Sequence, residues 1–475
     1  MSKRPNIVLI MTDQQRRDCV GAYNPSGPRT PHIDRLAEEG VVFDRYYSSC
    51  PLCVPARSSI ATGRYPHSCG ATINAFGPKY RESEFHGVLN EGEVTVHDLL
   101  ARAGYRIGHI GVDHVRTVPP LKSKGVFDRY ISNGDYRLHL EKRGLKPYDY
   151  TPHQHPCPSE VEGEAKTVRY SAPNPGVFPY DREDFLDFFF ARHAVDFVNS
   201  VAPAEPFALF CFLWAPHPPF VIPEPYYSMY PPSDIAPPAN LMAPLDHKPQ
   251  MHLRHLPGII GALPDRKAWL ETWAVYYGMV TMVDECIGMV LDALRSRGLM
   301  DDTILIFTSD HGEQLGCHTL FQKMVCYEES IHIPFILRAP GQTPGRREQL
   351  AGHNDILPTI LDYAGIGIPD AVQGVSLRGI AEHPETPSRS EIFSEYNGNV
   401  AHRWFQRTVV TDQYKYIYNH GDIAELYDLR NDPLEMTNLA GRRETASVEA
   451  DLRGRLRKWM ETSGDFLLPS MNGPH

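Results

Sequence analysis

Ile7-Val8-Leu9-Ile10-Met11-Thr12-Asp13 is a short apolar run stopped by a threonine and an acid. A run of this length, apolar at every position and ended by a polar residue, is the pattern of a parallel strand buried on both faces. The pattern recurs three times. Residues 105–111 end near His114, 207–213 end in Pro216-His217, and 303–308 end in Asp310-His311. Helical stretches at 30–40, 94–103 and 269–297 lie between them, so strands and helices alternate and predict an α/β sheet covered on both faces. Each of the four strands delivers a ligand or acid/base group at its carboxyl end, the edge at which open α/β sheets bind ligands. From residue 391 the pattern changes. Segments 391–396, 407–411 and 414–418 read as antiparallel strands, followed by 426–429 and a final helix over 446–462. The expected division is an α/β catalytic domain over 1–385 and a smaller α+β domain over 386–475. Many of the 42 prolines fall between Pro147 and Pro264. Segments such as Pro216-His217-Pro218-Pro219 cannot be regular helix or central strand, and predict stiff loops over the strand ends.

A chain of 475 residues can bury a large core. The net charge of −11, without a long basic run, argues against a nucleic-acid surface but leaves room for a locally positive pocket. Nine cysteines without disulfide-like spacing suit a reducing compartment. No stretch approaches the length of a membrane span, and the apolar run after Met1-Ser2-Lys3-Arg4 is too short for a signal-peptide core. The expectation is a soluble cytoplasmic protein.

Chemistry concentrates in Cys53-Val54-Pro55-Ala56-Arg57-Ser58-Ser59-Ile60-Ala61-Thr62-Gly63. Pro55 has a preset φ and no N–H, and suits a first helical turn. That puts Cys53 at a helix N-terminus, where free N–H groups favour an anion, with Arg57 one turn on along the same face. Two blander readings remain: a buried cysteine near a surface arginine, and a C-x-x-C pair with Cys50. The second finds no partner pair at zinc spacing and leaves Arg57 unexplained. Asp13-Gln14 and Asp310-His311 together offer two carboxylates, an amide oxygen and an imidazole, a set for a divalent cation. An acid after a strand also serves as a cap or turn former. Lys323 also reads as a solvated surface residue, and His217 as a hydrogen-bonded loop histidine.

The segment at Cys53 resembles the formylglycine-forming motif of the type I sulfatases, a branch of the alkaline phosphatase superfamily, and the resemblance runs from Pro5 to about Gly441. It implies an alkaline-phosphatase-like α/β fold: a large, mostly parallel sheet between helices, with a smaller C-terminal α+β domain of antiparallel sheet and helix. It implies that a formylglycine-generating enzyme converts Cys53 to formylglycine (3-oxoalanine), whose hydrated aldehyde is the nucleophile. Asp13, Gln14, Asp310 and His311 would then hold, with residue 53, one divalent cation, Ca²⁺ or Mn²⁺. Arg57 and Lys323 would stabilise the oxygens of the transferred group, and His217 would protonate the leaving group.

Four positions depart from the commonest sulfatase pattern. Ala56 replaces a serine and Gln14 replaces a second acid. Gly111-Val112-Asp113-His114 stands where most sulfatases carry Gly-Lys-x-His, so His114 keeps a substrate-binding position while Val112 supplies no charge. Asn74 follows Cys53 at the spacing of an asparagine that binds the transferred group in phosphonate monoester hydrolases, which share the other departures. Asp113 and His318 are further candidates. The resemblance implies hydrolysis of a small-molecule or saccharide sulfate ester, with a phosphonate monoester or phosphodiester as the alternative. A metal-dependent phosphatase with an unmodified nucleophile is a further alternative. A homo-oligomer is compatible with the sequence.

Overall fold

In the computed structural model of the protein, the described residues are 4–74, 85–161, 164–202, 205–399 and 402–471. Eight strands form the large sheet: β1 (Asn6–Thr12), β2 (Val41–Phe43), β3 (Arg106–Gly111), β4 (Arg129–Ile131), β5 (Phe207–Phe212), β6 (Thr303–Ser309), β7 (Phe335–Arg338) and β8 (Gly345–Arg347). Their order is β8-β2-β7-β6-β1-β5-β3-β4. All pairs are parallel except those made by β7, which runs against both β6 and β2. All seven residues of β1 are buried, as its unbroken apolar run requires.

The strand period of two divides the core. Val8 and Ile10 face one layer with α4 (Leu186–Ser200) and α5 (Arg266–Ser296). Ile7, Leu9 and Met11 face the other, with α3 (Val96–Arg102) and α6 (Ile356–Tyr363). Burying each large apolar side chain here is worth about 1.5–3 kcal/mol. Contrary to the expectation that no stretch approaches the length of a membrane span, helix α5 is long and apolar enough to cross one, but 83% of its most apolar window is buried inside the protein.

Register brings the strand ends together. Thr12 pairs with Ser309, Met11 with Phe212, and Gly111 with Phe212, so the loops after β1, β3, β5 and β6 leave from one edge. Gly111 has a φ of +129°, and a Cβ there would lie 1.8 Å from the Phe212 carbonyl oxygen. Only glycine lets β3 approach β5 this closely at its exit.

The proline-rich region holds more regular structure than its composition suggests. Gln154–Val161 and Glu164–Ser171 form an antiparallel hairpin containing Pro156 and Pro158. In a two-stranded ribbon each strand has a free edge, and prolines two apart turn their missing N–H to that edge. Helix α4, with Phe188, Phe189 and Phe190 buried, lies in the same region and was not apparent from the sequence.

Beyond residue 390, β9 (Glu391–Asn399), β10 (His402–Thr411), β11 (Tyr414–Asn419) and β12 (Glu425–Asp428) form an antiparallel sheet in that order. Helix α7 (Ala446–Ser463) covers it, placing Leu452, Leu456, Trp459 and Met460 against Val409, Tyr416 and Leu426. Buried polar ties join this sheet to the large one. Lys415 pairs with Glu328 at 3.0 Å, and Tyr327 donates to Glu425 at 2.6 Å.

Candidate active site

Helix α2 (Cys53–Thr62) is buried at every residue and ends at Gly63 in the left-handed region. Cys53 is its first residue, as the placement of Pro55 in the first turn requires. The Cys53 thiol lies 3.1 Å from His311 Nε2 and 3.8 Å from Asp13 Oδ1. Ligand atoms of Asp13, Cys53, Asp310 and His311 all lie within 4.8 Å of one another. His311 donates Nδ1–H to the Gly312 carbonyl at 3.0 Å, which leaves the Nε2 lone pair facing the cluster.

Electrostatics follow from burial. Asp13 and Asp310 are both fully buried. Burial and the neighbouring Asp310 push the Asp13 carboxyl well above the usual carboxylate range. Against the upward push of its own burial, Asp310 is held low by His311 and Arg57. Burial drives His311 down to about 3, so the imidazole is neutral. Burial and Asp13 push the Cys53 thiol up to about 12. Two buried carboxylates, an amide oxygen and a neutral imidazole with an inward lone pair fit one hard or borderline divalent cation, of the Ca²⁺ or Mn²⁺ type.

Gln14 has a φ of +67°, uncommon for a residue with a side chain. The surroundings over-determine it. Its N–H donates to Asp310 Oδ1 at 3.0 Å, and its carbonyl accepts from Tyr276 on α5 at 2.8 Å. Its side-chain Oε1 accepts from Lys323 Nζ. Lys323 is 3% exposed, and its Nζ also lies 2.7 Å from His217 Nε2. His217 Nδ1 bonds to the Pro218 carbonyl, so Nδ1 carries the proton and Nε2 accepts from the ammonium. Burial, then Lys323, pushes His217 well below its usual range. The Trp214 ring packs 4.2 Å from the imidazole.

Arg57 is neither exposed nor free. Its Nη2 donates to Asp13 Oδ2 and its Nε to Asp310 Oδ2, both at 2.8 Å, while Nη1 reaches the Val112 carbonyl at 3.4 Å. The guanidinium therefore clamps the two carboxylates. Asn74 lies at the site, with its Oδ1 accepting from Val54 N at 3.0 Å, a bond that fixes the orientation of its amide. His114 is half-buried and within electrostatic reach of Arg57, Asp310 and Lys323. Val112 is fully buried, and its side chain belongs to the apolar core. Asp113 pairs with Arg116 at 3.9 Å, and His318 bonds to Asn240 at 3.2 Å in a separate polar network. Cys50 is a free buried thiol outside the cluster around Cys53.

Three contributors had no signal in the sequence. Tyr276 holds the Gln14 turn, and Glu313 accepts from Gln14 Nε2. Asp187, in the first turn of α4, accepts from Trp214 N at 2.6 Å and Ala215 N at 3.2 Å and so fixes the loop that carries His217. A second cluster, His67 with Glu395 and Asp465, is closed by Arg407, which donates to both Asp465 oxygens, and is an ion-pair network.

A buried helix start ringed by possible cation ligands, at the carboxyl edge of a mostly parallel sheet, is the arrangement of an ester hydrolase with an alkaline-phosphatase-like fold. Residues 5–366 match the sulfatase family, and residues 316–462 match the C-terminal region of N-sulphoglucosamine sulphohydrolase. The chain is 30% identical to an arylsulfatase of Clostridium perfringens, covering 98% of this chain and 97% of that protein. It is 29% identical to the multifunctional alkaline phosphatase superfamily protein PehA of Trinickia caryophylli, with 98% and 97% covered. The solved structure of a phosphonate monoester hydrolase from Silicibacter pomeroyi matches with a TM-score of 0.80 at 26% identity, covering 98% of this chain and 97% of that one. The chain belongs to the sulfatase family, and is a sulfuric ester hydrolase by class.

Proposed function

We propose that this chain hydrolyses sulfuric monoesters through a formylglycine made from Cys53, with one divalent cation, Ca²⁺ or Mn²⁺, held by Asp13, Gln14, Asp310 and His311. The observation that carries the reading is Cys53 itself: the first residue of a buried helix, 3.1 Å from a neutral imidazole and beside two carboxylates. The modification would supply a geminal diol, one hydroxyl to attack and the other to release the product, with the cation lowering the pKa of the attacking group. Lys323 holds a positive charge where the non-bridging oxygens of the transferred group would sit. The Lys323–His217 contact keeps one proton between two nitrogens on the leaving-group side, positioned for the departing alkoxide. Arg57 keeps both carboxylates aimed at the cation site. Asn74 and His114 would bind the substrate from the rim. Because Cys53 is only 2% exposed, a formylglycine-generating enzyme would have to act before the chain closes around α2.

The second reading is a phosphonate monoester or phosphodiester hydrolase, supported by Gln14, Ala56, Asn74 and Val112 and by the likeness to the Silicibacter pomeroyi enzyme. Sulfate and phosphonate monoesters each carry one negative charge, so charge alone does not separate them. A phosphatase using the unmodified thiol is the remaining alternative. We take 1–385 and 386–475 as the two domains. The unpaired cysteines support a reducing, cytoplasmic setting. The test is a panel of aryl and saccharide sulfates, phosphonate monoesters and phosphate esters on modified, metal-loaded enzyme. The highest kcat/KM is expected on a sulfate monoester. Background sulfatase activity with fast phosphonate or phosphodiester turnover would replace the first reading by the second.

A further inference from the structure

We propose that Glu313 is a positioning residue that fixes the Gln14 amide with its oxygen toward the cation site. The inference rests on the reading of Asp13, Gln14, Asp310 and His311 as cation ligands. A carboxylate at position 14 would present an oxygen whichever way its plane turned. A glutamine presents an acceptor at one end and a donor at the other, and only the oxygen can ligate a cation. This chain therefore needs something to choose the orientation. Gln14 Nε2 donates to Glu313 Oε2, while Gln14 Oε1 accepts from Lys323 Nζ. The reverse orientation would set NH₂ against ammonium at one end and oxygen against carboxylate at the other.

Glu313 is built for the task. Its second oxygen, Oε1, accepts from Leu315 N at 2.9 Å, so both oxygens are committed as acceptors. Its backbone is pinned on both sides, with N–H donating to the Glu329 carbonyl at 2.9 Å and its own carbonyl accepting from Arg16 Nη1 at 2.8 Å. Gln14 and Glu313 are both fully buried, so bulk water cannot stand in for either partner. Lys323 supports the same orientation, but it faces His217 and the substrate side. Glu313, bonded to Gln14 and Leu315, is the determinant free of that second duty.

The test measures metal affinity. Full-length protein is stripped with a chelator and titrated calorimetrically with Mn²⁺ and, in parallel, Ca²⁺. Glu313→Gln cannot accept from both Leu315 N–H and Gln14 Nε2–H, because one of its two ends is now a donor. Affinity should fall about 10–100-fold, the usual range for loss of a group that orients a metal ligand. The exchange Gln14→Glu/Glu313→Gln keeps the total charge and reverses the bond: residue 313 then donates to a carboxylate that has no wrong orientation. It should return to within about threefold of the parent, a recovery that a merely structural role for Glu313 would not produce. Parent-like affinity in Glu313→Gln, or an exchange variant as weak as the single one, would overturn the proposal. If Glu313→Gln fails to fold, the exchange variant decides alone: parent-like binding supports the role, and failure to fold or bind refutes it. A parent that binds neither ion would overturn the cation site itself and the role of Glu313 with it, a failure visible before any variant is made.

Discussion

Replacing Arg57 with methionine keeps the unbranched apolar stem and removes the guanidinium with its charge. The guanidinium makes two 2.8 Å bonds, one to Asp13 and one to Asp310, and all three side chains are 0% exposed. Breaking a buried ion pair by deleting one partner destabilises by about 3–5 kcal/mol. Metal-free Arg57→Met should therefore lose about 3–5 kcal/mol in urea unfolding followed by near-UV circular dichroism. Arg57→Lys should fall between, because an ammonium cannot span both carboxylates as the planar fork does. The sign of the pH dependence follows from Asp310. Its carboxyl is held low by His311 and Arg57 against burial, so its contribution is present above the ordinary carboxylate value of 3.8 and lost as pH falls through the lower folded value. The gap between parent and Arg57→Met should accordingly narrow toward acid pH. A metal-free Arg57→Met within about 1 kcal/mol of the parent, below the range for a broken buried pair, would refute the clamp.

His217→Ala should slow esters with poor leaving groups by about 10²–10⁴-fold and spare nitrophenyl-type esters, as read from kcat/KM across a leaving-group series; an equal loss throughout would make His217 a binding residue. Val112→Lys would force an ammonium into the apolar core, and loss of soluble folded protein by circular dichroism is the expected outcome, in contrast to a gain of charge in the pocket. Burial raises Asp187 to about 6, so the folded state binds the extra proton between 3.8 and about 6 and parent stability should decline as pH rises through that window. Asp187→Asn should flatten that decline, checked by urea midpoints against pH, and an unchanged slope would assign the pH dependence elsewhere.

The strands and their order of chemistry were legible because buried parallel strands write themselves as unbroken apolar runs, and Ile7–Met11 and 303–308 did so. Helix α4 was hidden because Phe188-Phe189-Phe190 lacks a one-sided stripe and sits among prolines. The reversed direction of β7 has no local signature, since strand direction depends on what the chain does between strands. At the site, Cys53 at the start of α2 followed from Pro55 alone. The carboxylate partners of Arg57 did not, because helix periodicity gives the face of a side chain and not the groups it meets there. Val112 looked like a vacancy in the pocket, yet its backbone contributes and its side chain turns to the core. Glu313 and Tyr276 act through single long-range bonds to Gln14, and contacts across 299 and 262 residues leave no trace in spacing.

The central claim is that Cys53 is a precursor. Mass spectrometry of the peptide carrying residue 53, taken from enzyme of known specific activity, tests it most directly. An aldehyde at residue 53, lighter than cysteine by the difference between H₂S and oxygen, is expected in proportion to the activity. Fully active protein in which residue 53 is only unmodified cysteine would contradict the formylglycine mechanism.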